Sequence, residues 1–302
     1  MAKHFGLPYQ GSKDKIALEI HRQLPSGKRF VDLFGGGFAM SHAAMLLRKK
    51  YGQVLYNELD PLLCKLIKDA VSGKYNYDHG FKPEWISRDD FYRLKDKDGY
   101  VRYVWSFGNN GKNYLFGEDV EPIKKAGHKY VIFGQPIEGI PLPSGGNERS
   151  RRLALRRYGH DRAEAMIRKN PYLRKEKRQL EDKYELQQLQ QLERLQQLQQ
   201  LQQLQQLERL QITSGDYKQY EYQEGDIVYC DPPYEGTEGY NNNTFDSADF
   251  YEWVYTRPYQ VWFSSYKISD NRFRLVWAKR HRGIMGGAKG AVYNFECLYT
   301  NK

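Results

Sequence analysis

Apolar residues in the first 71 positions follow two alternating patterns. Short apolar runs at residues 30–34 and 54–57 predict strands, whereas residues 40–51 and 61–71 have the longer amphipathic spacing of helices. Strands that alternate with helices build a parallel sheet, whose ligands bind beyond the carboxyl ends of the strands. The sequence therefore predicts an α/β fold in which helices cover both faces of a sheet.

The alternation stops after this region and resumes near the C-terminus, where residues 227–230 predict another buried strand. We therefore expect one α/β domain formed by residues 1–71 and 214–302. Two insertions interrupt it, a region at 72–178 and a low-complexity segment at 179–213.

The low-complexity segment has leucine at every third position from Leu186 to Leu210. In an α-helix, residues three apart drift by about 60° at each step, so these leucines wind around the helix and form no single stripe. A 3₁₀ or polyproline II rod would align them, but long 3₁₀ runs are uncommon and the segment lacks proline. Since leucine, glutamine, glutamate and arginine all favour helices, we predict a helix. Functionally, we expect a tolerated insertion that acts as a spacer or mediates self-association.

The net charge of +10 favours a polyanionic partner. Most of this charge lies at residues 149–178, which contain twelve Lys or Arg and three acidic residues. Two interpretations stay open at this point. The run is either a solvated face or flexible arm, or it contacts phosphates directly.

Three cysteines lie far apart, and the seven histidines form no helix-spaced pair, so neither a disulfide framework nor a metal site is expected. Cys64, Cys230 and Cys297 are predicted to be buried. No run of eighteen apolar residues and no secretory signal is found, so we expect no membrane partner and a cytoplasmic location.

The tetrapeptide at residues 231–234, which follows the predicted strand 227–230, suits chemistry on the amino group of a planar base. Such an amine is a poor nucleophile because its lone pair is delocalised into the ring. The Asp231 carboxylate and the Pro232 carbonyl can each accept one N–H, Pro233 stiffens the loop, and Tyr234 offers a ring on which an extruded base can stack. The alternative is a turn that only ends a strand.

A glycine-rich turn follows the first predicted strand. Asp32, Gly35 and Gly37 lie where a strand turns into a helix, and glycine there lets the backbone approach a ligand closely. The spacing is not that of a dinucleotide site, so an amino acid or a nucleoside suits it, although such glycines also serve helix packing. Glu58 ends the second strand, where an acid can bind ribose hydroxyls, and Asp60 is expected to cap the next helix.

Three further residues suit a cofactor of this kind. Lys13 can meet a carboxylate and Tyr9 can stack on the ligand, while Asp216 lies just before the strand 227–230 and can accept from an amino group.

The inserted region combines aromatic, amide and basic residues at 105–117, which suits stacking on bases and hydrogen bonding to their edges. An aromatic-rich β-hairpin that packs its own small core is the alternative. Residues 141–147 predict a flexible linker or a disordered loop.

These motifs occur in the order found in DNA adenine-N6 methyltransferases of the Dam-like group, and the chain resembles that family over most of its length. The similar segments are residues 9–13, 32–37, 56–60, 231–234, 262–266 and 296–299.

The resemblance implies a Rossmann-like methyltransferase fold with a mixed sheet, S-adenosylmethionine as cofactor, and a flipped adenine in double-stranded DNA as substrate. The implied cofactor-binding residues are Tyr9, Lys13, Asp32, Phe34, Gly35, Gly37, Glu58 and Asp216. The implied DNA-binding residues, which lie in a region similar to the DNA-reading hairpin of the family, are Asn109, Asn110, Lys112, Asn113 and Tyr114. Lys112 stands where relatives often have arginine, and the leucine repeat and the basic run also depart from the family pattern.

Two alternatives remain at this point. In the first alternative, the methyl group goes to adenine in RNA or to N4 of cytosine in DNA. Cytosine enzymes of this type, however, usually have serine in place of Asp231. A protein of another class, an inactive and oligomeric DNA-binding protein, is the second alternative, and the intact Asp231, Gly35 and Glu58 argue against it.

Overall fold

The structure is a computed structural model that describes residues 5–7, 9, 11–169, 189–202, 204, 207–234, 245–282 and 293–302. The chain forms two compact units. The first comprises residues 1–74 and 197–302, and the second comprises residues 75–196.

The first unit is built on a seven-stranded sheet with the order β3-β2-β1-β4-β5-β7-β6. The neighbours among β1 to β5 pair in parallel, and β7 runs antiparallel to both β5 and β6. The predicted α/β fold with a mixed sheet is thus confirmed. The strands are β1 Gly27–Asp32, β2 Tyr51–Glu58, β3 Leu210–Ser214, β4 Asp226–Cys230, β5 Val261–Ser265, β6 Arg274–Arg282 and β7 Tyr293–Thr300.

The two helices predicted at 40–51 and 61–71 are present, and they differ from the prediction mainly at one boundary. The helix predicted at 40–51 ends at Leu46, and Tyr51 instead begins β2. Tyr51 is fully buried, its ring lies 5.2 Å from that of Phe30, and its hydroxyl lies 3.1 Å from His21 Nδ1. These contacts override the local helical spacing. The helices are Ala17–Gln23, Ala39–Leu46, Pro61–Val71 and Ser247–Tyr255.

The carboxyl ends of the central strands lie at one edge of the sheet. Because β4 pairs in parallel with β1, the turn after Asp32 and the loop after Cys230 leave the sheet on the same side. The Leu33 amide donates to the Tyr229 carbonyl at 3.0 Å. The glycine turn and the tetrapeptide at 231–234 are therefore neighbours, as the sequence predicts for a shared site.

The second unit is helical within the described residues, and its core is aromatic. Phe91, Trp105 and Tyr130 are fully buried. The Tyr130 hydroxyl donates to the Pro143 carbonyl at 2.8 Å, so the predicted linker at 141–147 is a loop held at its centre. The helices are Arg88–Leu94, Gly99–Val104, Glu121–Phe133 and Glu148–Lys169, followed by Gln190–Leu201, which continues into the first unit.

The leucine repeat is helical over Gln190–Leu201, but its last residue, Leu210, begins strand β3. Residues 186–188 lie outside the described residues. Within the described part, Leu189, Leu192, Leu195, Leu198, Leu201 and Leu204 are all buried. A helix whose leucines wind around its axis is covered on many sides when all of them are buried, so this part of the repeat packs against other residues of the chain.

Polar contacts also hold this helix in the second unit. The guanidinium of Arg194 is 6% exposed and donates to the carbonyls of Val104 at 2.6 Å and Ser106 at 2.7 Å. The side chain of Gln191 lies 3.3 Å from Nδ1 of the buried His128. The helix is therefore part of the packed structure.

We expect Leu195→Ala to lower the free energy of unfolding by about 2–5 kcal/mol, because it leaves a cavity at a fully buried site. Leu207→Ala is the matched control, since Leu207 belongs to the same repeat but is 38% exposed, and it should change stability by less than about 0.5 kcal/mol. Denaturant unfolding of both variants measures the difference. Equal, small effects would show that the repeat is dispensable.

Candidate functional site

The glycine turn after β1 is held by the end of β2. The amide of Gly35 donates to the Asn57 carbonyl at 2.8 Å, and the amide of Gly36 donates to Glu58 Oε2 at 2.9 Å. A Cβ on Gly35 would lie 2.1 Å from the ring of Tyr56, and one on Gly37 would lie 2.5 Å from the Cβ of Tyr9. The turn therefore requires glycine at both positions, and Tyr9 packs directly against it.

Two acidic residues predicted to bind the cofactor lie at the ends of neighbouring strands, Glu58 as the last residue of β2 and Asp216 two residues after β3. Burial raises the pKa of Glu58, although its carboxylate accepts from the amides of Asp60 and Gly36. Asp60 accepts from the Leu62 amide at 2.8 Å, which confirms the predicted helix cap. Asp216 is exposed, and the preceding Gly215 donates to the Glu58 carbonyl at 3.2 Å. Glu58 and Asp216 thus stand at adjacent strand ends.

Asp32 is a buried carboxyl group at the end of β1. Its Oδ2 accepts from the Ser41 hydroxyl at 2.8 Å, whereas Oδ1 has no hydrogen-bond partner among the described residues. Burial raises the pKa of Asp32 to about 7, with Ser41 opposing the shift. The ring of the neighbouring Phe34 lies 4.9 Å from that of Tyr217 and packs against the hydrophobic core.

The shifted pKa of Asp32 predicts a pH-dependent stability. The folded protein keeps the proton up to about pH 7, whereas the unfolded chain loses it near the ordinary pKa of 3.8, so folding becomes less favourable as the pH rises between these values. Asp32→Asn removes this loss. We expect the melting temperature of D32N to gain a few degrees relative to wild type between pH 5 and pH 8 in thermal denaturation. A constant difference across this range would contradict a protonated Asp32.

The tetrapeptide at 231–234 is held by an ion pair that the sequence did not predict. The ammonium of Lys13, which was predicted to meet a cofactor carboxylate, lies 2.8 Å from Asp231 Oδ2 and 3.5 Å from Glu296 Oε1. Burial lowers the pKa of Lys13, but the charges of Asp231 and Glu296 outweigh it and raise the pKa above its usual value. In this structure Lys13 therefore binds the predicted catalytic carboxylate.

The ring of Tyr234 closes this cluster. Its hydroxyl lies 3.2 Å from Asp231 Oδ1 and also donates to Glu296. The Lys13 ammonium lies 4.9 Å from the centroid of the Tyr234 ring. The ring of Tyr266 packs edge-on against the same ring, with 4.7 Å between the two centroids. Burial raises the pKa of Asp231, and Lys13 opposes the shift. Pro232 is buried and Pro233 half-buried, which is consistent with a rigid loop.

The family model of the D12 class N6 adenine-specific DNA methyltransferases matches residues 9–116 and 168–253, more than half of the chain. The chain belongs to this family. The matched residues include Lys13, the glycine turn, Glu58 and Asp231. A search of curated proteins finds no match.

Membership of the D12 class agrees with the resemblance to Dam-like enzymes in the sequence. Enzymes of this family methylate N6 of adenine in DNA. None of the described helices is long and apolar enough to cross a membrane. The same residues contain no group of three or more His, Cys, Asp or Glu that could hold a metal ion. The three cysteines are free and buried, as predicted.

The residues predicted to contact DNA lie in the second unit, in a loop closed by one antiparallel bridge between Ser106 and Tyr114. No strands flank it, so the described residues form a shorter structure than the predicted hairpin. Lys112 and Asn113 are exposed, whereas Asn109 and Asn110 are half-buried. The Asn110 side chain accepts from the amides of both Lys112 and Asn113, so it shapes the loop.

Tyr114 was also predicted to contact DNA, but the structure places it in the core. Its ring is 5% exposed, and its hydroxyl donates to the Ile86 carbonyl at 2.7 Å. The ring is therefore not available to stack on a base. Phe107, in the same loop, is 63% exposed and is the better candidate for stacking, but no feature of the sequence distinguishes it from Tyr114.

The other residue that the sequence analysis missed is Glu296. It lies on β7 one position before Cys297, which pairs with Ser265 of β5. The segment 296–299 resembled the family, but no pattern in the sequence related its acid to Lys13 or Tyr234.

Proposed function

We propose that this protein transfers a methyl group from S-adenosylmethionine to N6 of a flipped adenine in double-stranded DNA. The observation that carries the proposal is the pairing of β1 with β4, which brings the glycine turn and Asp231 to one edge of the sheet. In a direct displacement, positioning of the two reactants supplies most of the catalysis. The site for the methyl donor and the site for the acceptor amine must therefore be adjacent, as the glycine turn and Asp231 are.

The residues at this edge fit the proposed cofactor. The turn at Gly35 and Gly37 has no room for side chains, and Asp32 Oδ1 is a buried polar atom without a partner among the described residues. Glu58 and Asp216 offer carboxylates to hydroxyl and amino groups. When bound, S-adenosylmethionine supplies an electrophilic methyl group. The residues that would hold it are Tyr9, Lys13, Asp32, Phe34, Gly35, Gly37, Glu58 and Asp216.

Asp231, Pro232 and Tyr234 are the proposed catalytic residues, with Pro233 stiffening the loop. The Asp231 carboxylate and the Pro232 carbonyl accept the two N–H groups of the target amine and favour a nitrogen whose lone pair is free to react. Tyr234 presents a ring for stacking, and extrusion of the base costs a few kcal/mol that such contacts offset. Because Oδ2 of Asp231 is paired with Lys13, the target amine competes with the ammonium for this carboxylate.

The second unit supplies the proposed DNA contacts. One loop exposes three groups that suit contact with DNA: the cation of Lys112, the amide of Asn113 and the aromatic ring of Phe107. The basic run at 149–178 is helical up to Lys169, and residues 170–178 lie outside the described part. Its exposed cations, suited to phosphate contact, are Arg149, Arg156, Arg157, Arg162, Arg168 and Lys169.

Self-association through the leucine repeat is not part of this proposal, because the leucines from Leu189 to Leu204 that the structure describes are buried within the chain.

Expression in cells that lack adenine methylation, followed by single-molecule sequencing, tests the function. The proposal predicts N6-methyladenine at a defined set of duplex sites. Modified cytosine, modified RNA without modified DNA, or no modification would each overturn it.

A further inference from the structure

Glu296 shares both of the groups that hold Asp231. Its side chain is buried, its Oε1 lies 3.5 Å from the Lys13 ammonium, and it accepts from the Tyr234 hydroxyl. Lys13 and Tyr234 in turn contact Asp231 at 2.8 Å and 3.2 Å. One cation and one hydroxyl are thus shared between two carboxyl groups.

The hydroxyl of Tyr234 has one proton, so it cannot donate to both carboxylates at once. In the structure it donates to Glu296 by the closer contact, and the distance to Asp231 is longer. The ammonium of Lys13 shows the opposite preference and lies closer to Asp231. The cluster can therefore change partners with small movements of side chains that are already in contact.

We propose that Glu296 is a positioning residue, which holds the ammonium of Lys13 and the hydroxyl of Tyr234 while Asp231 turns from Lys13 to the target amine. This inference rests on the proposed function. Without a second carboxylate, releasing Asp231 would leave the ammonium of Lys13 buried and unpaired, which is strongly unfavourable. Lys13 would then keep Asp231 and compete with the substrate.

Glu296→Gln tests this role, because glutamine keeps the volume and can still accept from Tyr234 but has no charge for Lys13. We expect kcat to fall about 10- to 100-fold, while the KM values for S-adenosylmethionine and DNA change by less than about threefold. Glu221→Gln, at an exposed position of the same unit, is the matched control and should leave kcat unchanged. Thermal denaturation verifies that both variants are folded.

The pH profile of kcat separates this role from a merely structural one. Among the described residues, the titratable groups that face Asp231 are Lys13, Tyr234, Glu296, Asp32, Tyr229 and Cys230. Removing the negative charge of Glu296 strengthens the hold of Lys13 on Asp231 and lowers the pKa of Asp231. The acid limb of the E296Q profile should therefore move to lower pH than in wild type.

Unchanged kcat in E296Q, or a reduced kcat with an unmoved acid limb, would overturn the inference. If E296Q does not fold, Glu296→Asp tests the inference instead, because aspartate keeps the negative charge on a side chain that is one methylene shorter. The inference predicts a lower kcat at unchanged KM for E296D, and a wild-type kcat would overturn it. Activity of the wild-type protein is measured in parallel, and its absence would refute the proposed function itself.

Discussion

Asp231→Ala is expected to lower kcat by about 10³-fold or more and to leave the affinity for duplex DNA within about threefold of wild type. The carboxylate is a proposed acceptor for the target amine, and losses of 10²–10³ in kcat are typical when one aligned polar group is removed from an active site. Loss of its charge also leaves Lys13 with Glu296 alone. Single-turnover methylation and a DNA-binding titration at fixed salt measure the two quantities.

Asp231→Asn is the matched variant, because it keeps the size of the side chain and one acceptor oxygen. Its kcat should lie between those of wild type and D231A. If D231A turned over at near wild-type rate, the carboxylate would have no role in the reaction. A parallel loss of DNA affinity and kcat would instead indicate a damaged fold.

Lys13→Met is expected to lower the free energy of unfolding by about 3–5 kcal/mol, because removing one partner of a buried ion pair leaves the other charge uncompensated. Lys13 is 6% exposed and lies between the carboxyl groups of Asp231 and Glu296. Two buried carboxylates without a cation favour a bound proton, so the pKa of Asp231 should rise further. The loss of stability should therefore be larger at pH 8 than at pH 5.

Lys15→Met is the control for this change, since Lys15 is exposed and lies two residues away. It should alter stability by less than about 0.5 kcal/mol. Urea unfolding at pH 5 and pH 8 gives both the size and the pH dependence of the effect. A K13M loss as small as that of K15M, or one that shrinks at high pH, would show that the ion pair does not stabilise the site.

The parts of the site that the sequence predicted are local features of strand ends. Gly35 and Gly37, Glu58 and Asp231 each follow a short apolar run, and parallel strands place such ends at one edge. The cap at Asp60 is also local, because it depends on the next two residues.

Contacts between distant segments were not predictable in this way. Lys13 and Glu296 come from the two ends of the chain, and only folding of the sheet brings both to Asp231. Tyr114 is of a residue type that can stack on bases, but it is buried, and its hydroxyl donates to the carbonyl of the distant Ile86. Side-chain types alone do not reveal which aromatic ring of a loop faces solvent.

The leucine repeat illustrates the same limit. Its period of three excludes a heptad and a helix with a single leucine stripe. The pattern predicts an insertion and does not reveal that the leucines from Leu189 to Leu204 that the structure describes are buried. The residues that pack around this helix lie elsewhere in the sequence, so the repeat alone does not predict the burial.

The most direct test of the account is the chemical identity of the product. Purified protein is incubated with unmethylated duplex DNA and methyl-labelled S-adenosylmethionine, and the DNA is digested to nucleosides for mass spectrometry. The account predicts label in N6-methyladenine alone, and none with the D231A variant. Label in N4-methylcytosine, or equal labelling of adenine by D231A, would contradict the central role of Asp231 at the target amine.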